Sequence, residues 1–220
     1  MAGYSTGDAL KYSQTRQEIT VTEHKTFQLL AENVDVRGKS VLDFGCGDGY
    51  YSIRFADMGA CEVIGIDAST SFVDIAKEKH AHDNIHYIVA NGNALPFSDG
   101  TFDVVFSNFV IQHFQDSSQP LKEIYRVLKP DGWLLMVIPT AELENPGLAN
   151  TLVTINLREV LTVRNYLKTK VQIDAELAAA GFKLTHYTST PEPDAVVDPS
   201  YEYRDKIRAI PASIYLLQKP

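Results

Sequence analysis

The stretch Val41-Leu42-Asp43-Phe44-Gly45-Cys46-Gly47-Asp48-Gly49-Tyr50-Tyr51 decides the fold. A short apolar run ends at an acidic residue, and three alternate glycines lead into the next segment. This reads as a buried strand, a tight turn and the opening of a helix. Glycine tolerates positive φ and has no Cβ, so a ligand can lie against the backbone itself. The helix N-terminus beyond adds partial positive charge. A tight strand-to-helix turn with no ligand is the competing reading of the glycines alone.

Working outward, β-rich runs alternate with amphipathic ones from residue 40 onward. Ser40–Phe44, Glu62–Ile66, Ile85–Val89, Phe102–Phe106 and Trp133–Ile138 read as strands, and near-continuous apolar character suits burial on both faces. Helices are expected over 70–79 and 118–128, with Ser69 or Thr70 as the cap of the first. Lys129-Pro130-Asp131-Gly132 reads as a turn before the fifth strand. One or two helices are expected over 8–33, and 148–180 reads as largely helical, ended by Gly181. Phe182–Tyr187 and Ser213–Leu217 then form an antiparallel pair. The fold class is α/β, a doubly wound and mostly parallel seven-stranded sheet with an antiparallel C-terminal strand. One domain is expected over 1–220: a helical lid to residue 35, a core over 36–140, an insert over 141–208 and the final strand over 209–220.

A second acidic strand end names the ligand class. Asp67 closes the second strand, 22 residues after Gly45, where a doubly wound fold places the carboxylate that accepts both ribose hydroxyls of a nucleoside. Capping the helix near Thr70 is its other possible role. A dinucleotide fingerprint wants G-x-G-x-x-G, whereas here the glycines run G-x-G-x-G and Tyr50 follows. Asp43, two residues before Gly45, would repel a pyrophosphate and welcome a cationic amino group. A ligand with a ribose at one end and an ammonium at the other fits, and S-adenosylmethionine has both.

Motifs continue in order through Gly65-Ile66-Asp67-Ala68-Ser69, Gly92-Asn93-Ala94-Leu95-Pro96-Phe97, Phe102-Asp103-Val104-Val105-Phe106-Ser107-Asn108 and Arg126-Val127-Leu128-Lys129-Pro130-Asp131-Gly132-Trp133. This series resembles the class I S-adenosylmethionine-dependent methyltransferases of the small-molecule type, over roughly residues 36–140. The resemblance implies a Rossmann-like sheet with S-adenosylmethionine as cofactor. It implies Gly45 and Gly47 against the methionine part, Asp67 on the ribose, Ala68 and Phe72 beside the adenine, and Asn93 with the Ala94 amide on the adenine edge. Asn93 departs from the family's usual Asp. The Ser107 or Asn108 carbonyl would accept from the methionine ammonium, and Tyr12 in the lid would close on that end. Core packing is the alternative for Phe72 and an Asx turn for Asn93, and Asp103 reads as a strand-edge residue without a ligand role.

Methyl transfer from a sulfonium needs alignment more than it needs a side-chain catalyst. His113, following the fourth strand, is the candidate base or acceptor-orienting group, with packing beneath the loop as its alternative. His24 reads as a solvated helix residue, and at least one of Tyr50 and Tyr51 as core. The acceptor pocket is expected from residues 1–35 and 140–208, with Asn156, Arg158, Arg164, Tyr166, Tyr201, Glu202, Tyr203 and Arg204 as candidates.

Composition narrows the partners. A net charge of −8, from 20 basic and 28 acidic residues, disfavours a nucleic-acid partner. No run approaches a membrane span, and the N-terminus lacks the pattern of a secretory signal. With two cysteines, Cys46 and Cys61, a reducing cytoplasmic setting and a small-molecule methyl acceptor follow. Exposed N-terminal helices could pair two chains as a homodimer. His80, His82 and His86 cluster without nearby cysteines and read as surface histidines, so no metal is expected. An NAD-dependent oxidoreductase is disfavoured by the glycine spacing and by Asp43. A non-catalytic or non-methylating S-adenosylmethionine-binding protein would carry the same cofactor site.

Overall fold

The computed structural model describes residue 9 and residues 21–140, 152–156, 159–163, 166–190 and 212–220. Nine strands are described: β1 (Ser40–Phe44), β2 (Glu62–Asp67), β3 (Ile85–Val89), β4 (Phe102–Asn108), β5 (Leu128–Pro139), β6 (Leu152–Asn156), β7 (Glu159–Val163), β8 (Lys183–Thr190) and β9 (Ala212–Gln218). Five helices accompany them: α1 (Val21–Asn33), α2 (Tyr50–Asp57), α3 (Thr70–Lys79), α4 (Ser118–Val127) and α5 (Lys170–Ala179).

The main sheet has seven strands in the order β3-β2-β1-β4-β5-β9-β8. The first five pair in parallel, and β9 runs antiparallel to both β5 and β8. The order reverses between β1 and β4, so the C-terminal tips of those strands open a crevice at a topological switch point. Alternation along each strand decides which layer a residue joins. Val41, Val104, Phe106, Leu135 and Val137 meet Phe27 and Leu30 of α1 and Tyr51 and Phe55 of α2. Leu42, Phe44, Val105, Leu134 and Met136 meet Leu121 and Ile124 of α4 and Ile173 and Leu177 of α5.

Two sequence expectations are corrected. The span 148–180 is not largely helical. Leu152–Asn156 and Glu159–Val163 pair antiparallel, and among the described residues of the span only Lys170–Ala179 is helix. Val153, Thr154, Ile155, Val160, Thr162 and Val163 are β-branched, and their stiff side chains favour the strand. The expected turn at Lys129–Gly132 lies inside β5 as a bulge, since Phe102 pairs with Leu128 while Val104 pairs with Trp133. Asp131 takes φ 62° there. Its N–H donates to the Lys219 carbonyl and the Lys219 N–H to Gly132, so the strand continues through the irregularity.

Asp103 sits at the opposite end of β4 from the crevice and has a structural role. Its Oδ2 accepts from the Ser40 N–H (2.9 Å), the Ser40 hydroxyl (2.8 Å) and Lys129 Nζ (2.8 Å). Among the described residues, no helix is long and apolar enough to cross a membrane.

Candidate functional site

The glycine turn is held on the tip of β2. Gly45 and Cys46 both donate their N–H groups to the Ile66 carbonyl at 2.8 Å. Gly45, Gly47 and Gly49 take φ of 80°, 54° and 85°, in the left-handed region that favours glycine. The space around them differs. A Cβ on Gly45 would come within 2.3 Å of a Val110 methyl, and one on Gly49 within 2.6 Å of Tyr87 Oη. A Cβ on Gly47 would meet nothing within 4 Å. The bare backbone at Gly47 therefore borders open room, the cradle a nucleoside ligand needs.

Asp67 lies beside that room. Its Oδ2 accepts from the Gly47 N–H (3.1 Å) and its Oδ1 from the Ser69 N–H (2.8 Å). Each oxygen keeps a second lone pair for a ligand hydroxyl. Burial pushes its pKa up, opposed by the N–H groups of Ser69, Gly47 and Ala68. Ser69 is the N-cap of α3, accepting from the Phe72 N–H at 3.4 Å, so Asp67 is not spent on the cap. Ala68 is exposed at the rim. Phe72 is buried with Ile75 and Ala9.

Asp43 faces elsewhere than the sequence suggested. It is 1% exposed, and its Oδ2 accepts from the Ser52 hydroxyl at 2.6 Å. Strand alternation directs it into the α1–α2 layer, so it braces α2 beneath the turn. The neighbouring Cys46 thiol is pushed up in pKa by burial and by the Asp43, Asp67 and Asp48 carboxylates. It is a protonated packing group rather than a nucleophile.

The loop after β3 carries Asn93 and Ala94. Asn91 Oδ1 accepts from the Asn93 N–H (3.0 Å), and the Ala94 N–H donates to the Asn91 carbonyl (3.0 Å). The Ala94 amide expected on an adenine edge thus closes a β-turn onto the Asn91 carbonyl, beside the Asx turn that Asn91 makes with Asn93. The half-buried Asn93 side chain has no hydrogen-bond partner among the described residues. Arg126 staples the loop from α4, donating to the carbonyls of Phe97 (2.7 Å) and Leu95 (3.1 Å) and to Asp99 and Glu123. Glu123 in turn accepts from the Leu95 N–H at 2.7 Å, and the Arg126 bond holds its carboxyl below the usual range despite partial burial. Sequence reading placed Arg126 in a motif without a role. Arg126→Met is expected to lower stability by about 1–2 kcal/mol, because buried carbonyls lose their donors. Urea denaturation with an unchanged m-value checks it.

The tip of β4 completes the site. Ser107 is fully buried and its hydroxyl has no hydrogen-bond partner among the described residues. Asn108 is half-buried and donates through Nδ2 to Tyr51 Oη at 3.1 Å. Tyr51 donates to Glu23 Oε1 at 2.6 Å. Phe109 takes φ 54°, uncommon for a non-glycine residue and frequent near functional sites. A 3₁₀ turn over Ile111–His113 follows, with the His113 N–H on the Val110 carbonyl. His113 is therefore half-buried on the turn whose Val110 touches Gly45. Neighbouring Gln112 is 4% exposed with its Oε1 unpartnered.

Tyr51 is buried and Tyr50 half-buried, and His24 is exposed, as expected. Tyr12, Arg158, Arg164, Tyr201, Glu202, Tyr203 and Arg204 lie outside the described residues, and Asn156 is described in backbone only. The Tyr166 N–H donates to the Gln112 carbonyl at 2.7 Å, tying the segment after β7 to the β4 turn. His82 and His86 are exposed, and no group of three or more His, Cys, Asp or Glu capable of holding a metal occurs among the described residues.

Residues 42–136 match the family profile described as methyltransferase domain. The malonyl-[acyl-carrier protein] O-methyltransferase of Pseudescherichia vulneris is 40% identical over 104 residues, 47% of this chain and 40% of that one. The ubiquinone/menaquinone biosynthesis C-methyltransferase of Haemophilus ducreyi is 36% identical over 107 residues, 46% of this chain and 41% of that one. This chain thus spans about two-fifths of those relatives. Among solved structures, an S-adenosylmethionine-dependent methyltransferase from Mesorhizobium loti superposes with TM-score 0.67 at 20% identity, covering 87% of this chain and 95% of that one. The [4+2]-cyclase SpnF superposes with TM-score 0.72 at 19% identity, covering 90% and 80%. Both share the fold.

Proposed function

We propose that the protein is a class I S-adenosylmethionine-dependent methyltransferase that transfers a methyl group from S-adenosylmethionine to an N, O or C nucleophile of a small metabolite, a reading supported by the match of residues 42–136 to the methyltransferase domain profile. The single observation that carries the reading is the Asp67 carboxylate hydrogen-bonded to Gly47 beside open room over a bare backbone. The O- and C-methyltransferases among the relatives favour a biosynthetic small-molecule acceptor, and a cytoplasmic setting suits such a reaction.

When bound, S-adenosylmethionine supplies a methyl group on a sulfonium whose leaving group is a neutral thioether. Asp67 accepts from the ribose hydroxyls through its spare lone pairs. Gly45 and Gly47 leave room for the methionine part, Ala68 and Phe72 border the adenine, and the Asn93 side chain reads its edge. The Ser107 or Asn108 carbonyl accepts from the ammonium. Asp43 braces the turn from beneath. Protein groups at the β4 tip exclude water and hold the nucleophile in line, a positioning effect that supplies much of the rate. His113 accepts the proton of an acceptor that attacks in its protonated form.

Calorimetric titration with S-adenosylhomocysteine, followed by a mass-shift screen of candidate acceptors, tests the proposal. Micromolar binding and a gain of one methyl group are the expected results. Tight NADH binding without S-adenosylhomocysteine binding would overturn it. The shared fold with a [4+2]-cyclase favours one second reading, an S-adenosylmethionine-binding protein with other chemistry, since fold alone does not fix a reaction. Binding without any mass shift would select it. His113→Ala is expected to lower turnover about 10²-fold or more while S-adenosylhomocysteine affinity stays within about twofold. Unchanged turnover would return His113 to a packing role.

A further inference from the structure

A chain of buried hydrogen bonds joins α1 to the β4 tip, and its direction is fixed by chemistry. Glu23 is 6% exposed and Tyr51 is 5% exposed. The Tyr51 hydroxyl has one proton, and it donates to Glu23 Oε1, 2.6 Å away. Tyr51 Oη is then left with lone pairs toward Asn108. The Asn108 amide must therefore present its NH2 group to Tyr51, at 3.1 Å. Oδ1, the other end of that planar amide, is thereby kept as an acceptor that does not face Tyr51 Oη. An asparagine amide would otherwise be free to flip, and here the carboxylate two hydrogen bonds away sets it.

We propose that Glu23 and Tyr51 are positioning residues that lock Asn108 with Oδ1 as a hydrogen-bond acceptor at the β4 tip, for the ammonium of the bound amino-acid end. This rests on the cofactor reading above and adds a side-chain acceptor to the strand-tip carbonyls. Because Glu23 is on α1, the acceptor is set only when that helix is docked, which ties the N-terminal helix to recognition of one end of the ligand.

The test separates the amino-acid end from the nucleoside. S-adenosylhomocysteine carries the ammonium, and 5′-methylthioadenosine has the same nucleoside without it. Tyr51→Phe removes the central hydroxyl, and it is expected to weaken S-adenosylhomocysteine about tenfold, the scale of one hydrogen bond. Binding of 5′-methylthioadenosine should stay within about twofold. A reversal of the chain provides the second arm. Asn108→Asp places two carboxylates on one phenol proton, and should lower both the melting temperature and S-adenosylhomocysteine affinity. Adding Glu23→Gln lets an amide donate to Tyr51 and Tyr51 donate to the new carboxylate, so E23Q/N108D should recover both. A merely structural contact predicts additive damage instead. Parental S-adenosylhomocysteine affinity in Tyr51→Phe, or a double variant no more stable than Asn108→Asp, would overturn the proposal. If the parent protein bound neither nucleoside, the cofactor reading would fail, and the melting temperatures of the cycle would still decide the direction of the relay.

Discussion

Asp67→Ala is expected to reduce S-adenosylhomocysteine affinity by at least about 10²-fold while the empty protein keeps its cooperative unfolding. The size follows from what the carboxylate does. Two ribose hydroxyls donate to a charged acceptor, and hydrogen bonds to charged groups contribute about 1.5–3 kcal/mol each, so roughly 3 kcal/mol is a lower bound and each 1.4 kcal/mol is tenfold. The modest effect on the fold follows from opposing changes. Alanine forfeits the bonds from Gly47 and Ser69, but it also removes a carboxylate whose ionisation burial opposes. The sign on pH is fixed by the same shift. With its pKa raised in the folded state, Asp67 binds its proton more tightly folded than unfolded. Its ionisation therefore costs stability as pH rises from the unfolded value through the folded one. Ligand affinity runs the other way, because ribose hydroxyls donate to the ionised form, and it should fall as pH drops through the raised pKa. Titrations across that window in parent and variant check both. A variant that binds as tightly as the parent, or a parent affinity flat in acid, would remove Asp67 from the ribose.

How much of this was readable from the sequence depends on whether the signal was local. The parallel core was legible because Val41–Phe44, Val104–Phe106 and Leu134–Ile138 are apolar runs of strand length buried on both faces. The glycine turn and Asp67 were legible because their spacing is a backbone requirement. The pairing of β6 with β7 was misread, since Leu157-Arg158 between them offers no glycine or proline to punctuate the stretch. Asp43 was assigned to the ligand from its place in the motif. Its direction was decided by strand alternation and by Ser52, nine residues away on α2. The Glu23–Tyr51–Asn108 chain left no local signal, because its members are 28 and 57 residues apart and meet only after α1 docks on the sheet. The Ala94 amide closes a β-turn onto the carbonyl of Asn91, a residue outside the motif Gly92–Phe97.

The two glycines that differ most in their surroundings should separate damage to the fold from damage to the site. Gly45 and Gly47 both have positive φ, 80° and 54°, and an alanine at such angles costs roughly 1–2 kcal/mol. Beyond that they part. At Gly45 a methyl would fall 2.3 Å and 2.8 Å from the two Val110 methyls, and Val110 is held in the turn that carries His113. Relieving that overlap means moving the turn or unpacking it, adding about 1–3 kcal/mol for an overfilled contact. Gly45→Ala is therefore expected to lose roughly 2–5 kcal/mol of stability and to bind S-adenosylhomocysteine at least about 10²-fold more weakly, since turn and β4 tip shift together. At Gly47 the methyl meets nothing within 4 Å, and φ 54° is close to the left-handed well that non-glycine residues visit. Gly47→Ala should lose no more than about 1–2 kcal/mol, yet it places a methyl in the room the ligand would occupy, so binding should fall as severely as in Gly45→Ala. Urea melts and calorimetry on the pair give two numbers each. Parental affinity in Gly47→Ala would mean that the space over that backbone is not where the nucleoside ligand lies, whatever Gly45→Ala does to the fold.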